Sequence, residues 1–189
     1  MRKKVIILTI LISLLIAGGI FWWWQRGEKI KSSLEPLEYI VVRETPEGKF
    51  VENKKEGLSV KVPEGWKVQK PTNEQEPISF YSSFKKDACK IEMSISDKVR
   101  SIEEIKESVN KTIQELYTIE ESEFSILEIK GYQALKHVFQ AVEMSNILSI
   151  TIYIPTSTKV YNFELFAPLQ YKEKCYHELE VLIESTTFK

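Results

Sequence analysis

Cysteine, histidine and aspartate are each scarce in this 189-residue chain, and each scarcity closes off a class of chemistry. The two histidines, His137 and His177, and the two cysteines offer no H-E-x-x-H spacing and no Cys-x-x-Cys pair. A zinc centre, which needs three or four N, S or O ligands in tetrahedral reach, is therefore not expected. Asp87 and Asp97 are the only aspartates, whereas a calcium cage usually draws on several closely spaced ones. Seven glycines are spread without a phosphate-cradling loop or a G-x-S-x-G elbow, and no Ser or Cys has evident His support. Setting aside Arg2, Lys3 and Lys4, 23 basic residues face 27 acidic ones, so the basic excess of a nucleic-acid binder is missing. No internal repeat or low-complexity tract is present. The chain is read as non-enzymatic, with no catalytic residue, cofactor or metal site.

What is there begins with residues 5–24, twenty residues without a charge, ending in Trp22, Trp23 and Trp24. At about 1.5 Å per helical residue this run matches the roughly 30 Å hydrocarbon layer of a bilayer. The basic start and the trio Ala17-Gly18-Gly19 imitate a signal peptide. However, the apolar run continues past them and exceeds the roughly 7–15 residues of a signal core. The expectation is an uncleaved transmembrane anchor at 5–24, with a cytoplasmic tail at 1–4 and the tryptophan rings in the headgroup layer. The flanking charges, Arg2, Lys3 and Lys4 against Arg26, Lys29 and Lys31, favour the amino terminus inside only slightly.

Residues 25–56 read as a juxtamembrane linker. Within it, segments 39–44 and 49–53 flank Thr45-Pro46-Glu47-Gly48, the signature of a short hairpin. From residue 57 a folded domain is expected to run to 189. Segments 58–62, 78–84 and 89–96 alternate as strands; Cys89, Ile91, Met93 and Ile95 form one face and Lys90, Glu92 and Ser94 the other. Ser101 and Glu104 make a capping box for a helix with the inward stripe Ile102, Ile105, Val109, Ile113 and Leu116. Segments 124–130, 132–142, 147–154 and 160–166 read as further strands. A last helix over 171–185 turns Cys175, Leu179 and Leu182 inward. Strands, helix, strands, helix is the order of an α+β domain with an antiparallel sheet and helices on its faces.

Gly57-Leu58-Ser59-Val60-Lys61-Val62-Pro63-Glu64-Gly65-Trp66 resembles the opening of PsbP-like domains. The ending fits as well: Tyr161, Phe163 and Leu165 on the last strand, then Leu179, Leu182, Ile183, Ser185 and Phe188, with Gly131-Tyr132 between two long strands. The resemblance covers about residues 57–189 and implies an α/β/α sandwich around a twisted antiparallel sheet. Best known in that family are extrinsic lumenal subunits of photosystem II, which help retain calcium and chloride without being enzymes. Another branch binds a small GTPase, and many bacterial members stand as single domains behind a signal or an anchor. This chain departs from the photosystem members by its anchor and matches no cofactor-retention residue, so a photosynthetic role is not carried over.

Among single residues, His137 reads as a satisfied, half-buried histidine, His177 as solvated surface, and Glu120, Glu121 and Glu123 as a solvated helix-to-strand loop. Trp66 is expected to close one end of the sandwich. Cys89 and Cys175 both project from apolar faces. They either form a disulfide fastening the last helix to the sheet, worth on the order of 4–5 kcal/mol in the chain-entropy model, or stay separate buried thiols. Both readings stay open at the level of sequence.

Two functions follow. The first is a non-catalytic, membrane-anchored accessory or binding module on the extracytoplasmic side of the cytoplasmic membrane, contacting a protein partner in a membrane or envelope complex. The second is a binder of, or enzyme for, a small molecule in a pocket between sheet and helix. A purely structural envelope protein is a weaker third. A deep pocket with convergent polar groups would favour the second reading; an exposed apolar or aromatic patch would favour the first.

Overall fold

In the computed structural model, residues 37–82 and 89–188 are described. The expected tail, anchor and tryptophan belt at 1–24, and the linker up to residue 36, lie outside them. Among the described residues no helix is long and apolar enough to cross a membrane.

Two antiparallel sheets and two helices make an α+β body. The strands are β1 (Ile40–Thr45), β2 (Gly48–Asn53), β3 (Leu58–Val62), β4 (Lys67–Gln69), β5 (Ile78–Tyr81) and β6 (Lys90–Ser96). After helix α1 (Ile102–Leu116) come β7 (Ile119–Ile129), β8 (Tyr132–Ala141), β9 (Ile147–Pro155) and β10 (Val160–Pro168), then helix α2 (Lys172–Ser185). The small sheet runs β1-β2-β3; the large one runs β4-β5-β6-β10-β9-β8-β7. The last strand in sequence thus lies near the middle of the large sheet, with β6 on one side and β9 on the other.

Period-two alternation explains why β10 sits there. Tyr161, Phe163, Leu165 and Ala167 are all 0% exposed, and they share a face with Ile91 and Met93 of β6 and Ile150, Ile152 and Ile154 of β9. Against this face lie α2, through Cys175, Leu179 and Leu182, and the small sheet, through Ile40, Val51 and Val60, in one continuous core. Helix α1 takes the opposite face, where Ile105 packs with Leu135 and Val160. Each face of the large sheet therefore carries one helix, in agreement with the sandwich the sequence implies.

Local signals act where expected. Ser101 caps α1: its Oγ accepts from Glu104 N–H at 3.2 Å while Glu104 Oε2 accepts from Ser101 N–H at 2.8 Å. Lys130 and Gly131, at φ 51° and 80°, form the two-residue turn between β7 and β8, a conformation that suits the twist of the flanking strands. At Pro63-Glu64-Gly65-Trp66 the Trp66 N–H bonds Pro63 O at 3.1 Å, and Gly65 takes φ 77°. That turn needs positive φ at its third residue and delivers the indole of Trp66 into the core, 3% exposed.

Three expectations are corrected, and one strand is added. The hairpin at 39–53 forms, but β2 also pairs with β3 and both Ile40 and Val51 are buried, so residues 40–53 belong to the folded body rather than to a linker ending at 56. Burial of two β-branched side chains makes them part of the core. Glu120, Glu121 and Glu123 lie in β7, beside a register shift between Ile119 and Glu121, rather than in a loop. Leu116, expected on the inward stripe, is 66% exposed, while Ile113 in the same turn is buried. Strand β4 escaped notice, since three residues are too few to show alternation.

Cys89 and Cys175 form a disulfide, with Cα atoms 5.9 Å apart and a sequence separation of 86. The bridge joins the start of β6 to the first turn of α2 inside the core. The carboxyl end adds a further tie: Thr187 N–H bonds Ser59 O at 2.9 Å and Lys61 N–H bonds Ser185 Oγ at 3.0 Å, joining α2 to the small sheet. Reducing the disulfide is expected to lower unfolding free energy by about 4–5 kcal/mol, the chain-entropy value for a loop of this size. Urea titration with and without reductant measures it, and an unchanged midpoint would contradict the assignment of the bridge to the core.

Candidate functional site

The face of the large sheet that carries α1 is polar where the other is apolar. On β10 the alternation that buries Phe163 and Leu165 turns Asn162, Glu164 and Phe166 to this side. Register places Glu92 of β6 and Thr151 of β9 beside Glu164, Ser94 and Tyr153 beside Asn162, and Lys90 and Ser149 beside Phe166. Further along, His137 of β8 lies opposite Thr151. Two side chains of α1, Ile105 and Ile113, are buried, and the helix lies over β7 and β8. Between its inner flank and the floor of β8, β9 and β10 runs a groove of about 390 Å³, with Val109, Ile113 and Leu116 on the helix wall and Thr151, Tyr153, Glu164 and Phe166 on the floor. A smaller hollow of about 170 Å³, lined by Asn162, Ser94 and Ile105, adjoins it and shares Val109 and Tyr153.

The electrostatics of this floor are unusual for an ordinary sheet face. Burial raises the pKa of Glu164, and the neighbouring Glu92 carboxylate raises it further. A hydrogen bond from Ser149 Oγ to Glu164 Oε1 at 3.3 Å and the charge of Lys90 oppose that shift. Lys90 is already committed: it is ion-paired with Glu92, and that contact raises its own pKa. The Tyr153 hydroxyl is pushed up to about 12, first by burial and then by the Glu164 charge. Asn162 Oδ1 is buried without a hydrogen-bond partner among the described residues, while its amide donates to Ser94 Oγ at 3.4 Å. A buried acceptor left without a donor costs about 1–3 kcal/mol.

His137 is 1% exposed and lies at the β8 side of the same floor. It is stacked between Phe124, at 4.2 Å between ring centroids, and Phe139, at 5.2 Å, and Nε2 shares a hydrogen bond with Ser122 Oγ at 3.1 Å. Burial lowers its pKa to about 4. The expected satisfied histidine is therefore buried more deeply than alternation alone predicts. His177 is exposed on α2, 4.0 Å from Glu180. Glu120, Glu121 and Glu123 of β7 are exposed and do not line the groove. Cys89 and Cys175 lie on the far side of the sheet. Among the described residues no group of His, Cys, Asp and Glu could hold a metal ion.

Glu164 and Asn162 were missed by sequence reasoning, which placed Lys90, Glu92 and Ser94 on the polar face of a strand but gave that face no chemistry. The signal was present: polar residues at alternate positions of three strands that become neighbours. What hid it was the pairing of β6 with β10, 68 residues apart at Asn162 and Ser94.

These features define an α+β sandwich with a two-helix cover, and comparison identifies its architecture. The chain is similar to the cyanobacterial PsbP protein CyanoP from Synechocystis sp. PCC 6803, at 12% identity over 81% of this chain and 94% of that one, with a TM-score of 0.50. It is also similar to LpqN of Mycobacterium tuberculosis, described as involved in cell envelope biogenesis, at 14% identity over 69% and 82% of the two chains, with a TM-score of 0.49. No family model and no curated protein sequence matches. The folded body has a PsbP-like fold. Identity this low speaks to the fold and leaves function to the site.

The His137 environment sets a pH dependence. With a folded pKa of about 4 against an ordinary 6.5, the unfolded chain binds more protons between those values. Stability contributed by the neutral ring is therefore complete above pH 6.5, falls as pH drops toward 4, and levels off below; the total is about 3 kcal/mol. His137→Phe keeps an aromatic ring between Phe124 and Phe139 and is expected to remove this part of the acid slope. Denaturant midpoints for both proteins from pH 7.5 to 4 measure the difference, and parallel curves would refute it.

Proposed function

We propose that this chain is a non-catalytic accessory or binding module, anchored by residues 5–24 in the cytoplasmic membrane, with its folded body on the extracytoplasmic side. There it contacts a protein partner in a larger membrane or envelope complex. One observation carries the reading: a group of apolar side chains stands in water at a single end of the sheet. Leu116 is 66% exposed, Val142 55%, Ile147 38%, and Tyr117 and Leu169 37% each. They come from the last turn of α1, the residue after it, the residue after β8, the first residue of β9 and the turn after β10. Backbone hydrogen bonds from Val142 N–H to Thr118 O and from Leu169 N–H to Asn146 O, at 2.9 and 3.0 Å, hold these segments together. Isolated exposed apolar residues are ordinary, but several gathered at one end are a docking feature. The disulfide supports an oxidising compartment, which fits the outward orientation.

The groove beneath α1 favours a second reading, a small-molecule binder. Its size falls within the range of ligand sites and its floor brings polar groups together under an apolar wall.

Photocrosslinking from position 147 of the full chain, where Ile147 is exposed, is expected in intact membranes to capture one stoichiometric protein. Changing Val142 and Leu169 together to Lys should abolish capture while shifting stability by less than about 0.5 kcal/mol for each exposed site. No discrete capture, or capture unaffected by the double change, would overturn the docking role. Orientation is read separately: a cysteine replacing the exposed Glu103 should react with a membrane-impermeant maleimide on intact cells. Reaction only after permeabilisation would reverse the placement.

A further inference from the structure

We infer that the groove beneath α1 binds a small organic cation, an ammonium group carried on an apolar body, with the ammonium on Glu164 and the body between Val109 and the aromatic floor. The inference rests on the small-molecule reading of the groove and names its ligand class.

Charge and shape point the same way. Two carboxylates, Glu92 and Glu164, are register neighbours on β6 and β10, and the ammonium of Lys90 is ion-paired with the first of them. Glu164 is the one carboxylate on the groove's own lining. Above it, α1 contributes Ser108, Val109, Thr112, Ile113 and Leu116 and no charge of either sign. An anion entering here would meet two carboxylates, Glu92 and Glu164, against the single ammonium of Lys90, a floor of net negative charge. A neutral ligand would leave that carboxylate as it is. An ammonium supplies both the missing charge and up to three N–H donors, and in a half-buried site the attraction is several-fold stronger than in bulk water. The walls add to it. Tyr153, Phe166 and Phe139 line the same groove, and aromatic faces attract a desolvated cation. Asn162 Oδ1, buried without a partner one pair of residues along β10, offers an acceptor for a second donor on a longer ligand. An anion site or a metal centre would require the opposite charge or more ligands.

The titratable and charged groups facing Glu164 are Glu92 and Lys90 from β6, Tyr153 from β9 and His137 from β8; α1 brings none. Glu164 titrates above the usual carboxylate range because it is buried beside Glu92. A cation prefers the ionised form, so affinity rises with pH through that range and is flat once Glu164 has lost its proton.

The test uses the full chain in detergent, titrated calorimetrically with benzylamine and with its neutral isostere benzyl alcohol. Benzylamine is expected to bind at least about tenfold more tightly at pH 7.5 and to weaken toward pH 5. Glu164→Gln should bring it to the level of benzyl alcohol, leave the alcohol unchanged and abolish the pH dependence. Thermal melting of the same variant should show no loss of stability, because a buried carboxylate has been exchanged for an amide of equal shape. Val109→Trp, filling the groove from the helix side, should weaken both ligands. Equal binding of the two ligands, blocked by Val109→Trp, would sink the cation assignment and leave the small-molecule reading standing. Failure of both ligands to bind would sink the two together. If vesicles bearing an ethanolamine headgroup compete with benzylamine, the ammonium belongs to a lipid; if only free amines do, it belongs to a soluble ligand. Either result keeps the ammonium site.

Discussion

Everything in this fold hangs on the two-sidedness of β10. One strand, paired on both edges, sends Tyr161, Phe163, Leu165 and Ala167 into a dry core and Asn162, Glu164 and Phe166 to the opposite face. The dry side is covered by a helix, a second sheet and the chain's final residues, and a disulfide crosses it. The other side has a single helix as cover. A one-residue slip of register would exchange the faces and bury Glu164 against α2, so the pairing is specified by the large apolar area that only one register conceals.

That unequal cover produces the candidate site. Helix α1 seals the sheet at Ile105, over Leu135 and Val160, and leaves the floor of β8, β9 and β10 open beside it. Polar side chains that would be solvated on a bare sheet are instead half-enclosed. Burial then raises Glu164 and Tyr153 and depresses His137. The three shifts share one cause, loss of water from the charged form. Natural folds keep such polar groups where a ligand or a neighbour makes use of them, and the unpartnered Asn162 Oδ1 belongs to the same place. Beside it, Leu116, Val142, Ile147 and Leu169 leave apolar surface in water.

Much of the framework was legible along the chain. The alternation of Cys89, Ile91 and Met93, the capping box at Ser101 and the inward trio of α2 are signals between residues a few positions apart, and each element formed close to its expected bounds. Less was legible where partners are distant. The hairpin at 40–53 looked like linker because its burial depends on a core assembled from the other end of the chain. The stripe on α1 overstated Leu116, since helical period tells which face is apolar but not which of its side chains the rest of the fold covers. The site was least legible, because Glu92, Ser94, Asn162, Glu164 and Thr151 are unremarkable polar residues until three strands bring them side by side.

Local sequence determined the segments: which stretches alternate, where the helices begin, which faces are greasy, and a charge-free run long enough for a bilayer. Those properties need only short-range sterics, hydrogen bonding and the hydrophobic period. Only the tertiary structure decided that β10 inserts between β6 and β9, that Cys89 meets Cys175, and that the Glu164 carboxylate lines a groove under α1 with the Asn162 amide in the hollow beside it. Strand order and burial are set by the competition of all apolar surfaces for one interior, and no short window of residues contains that competition.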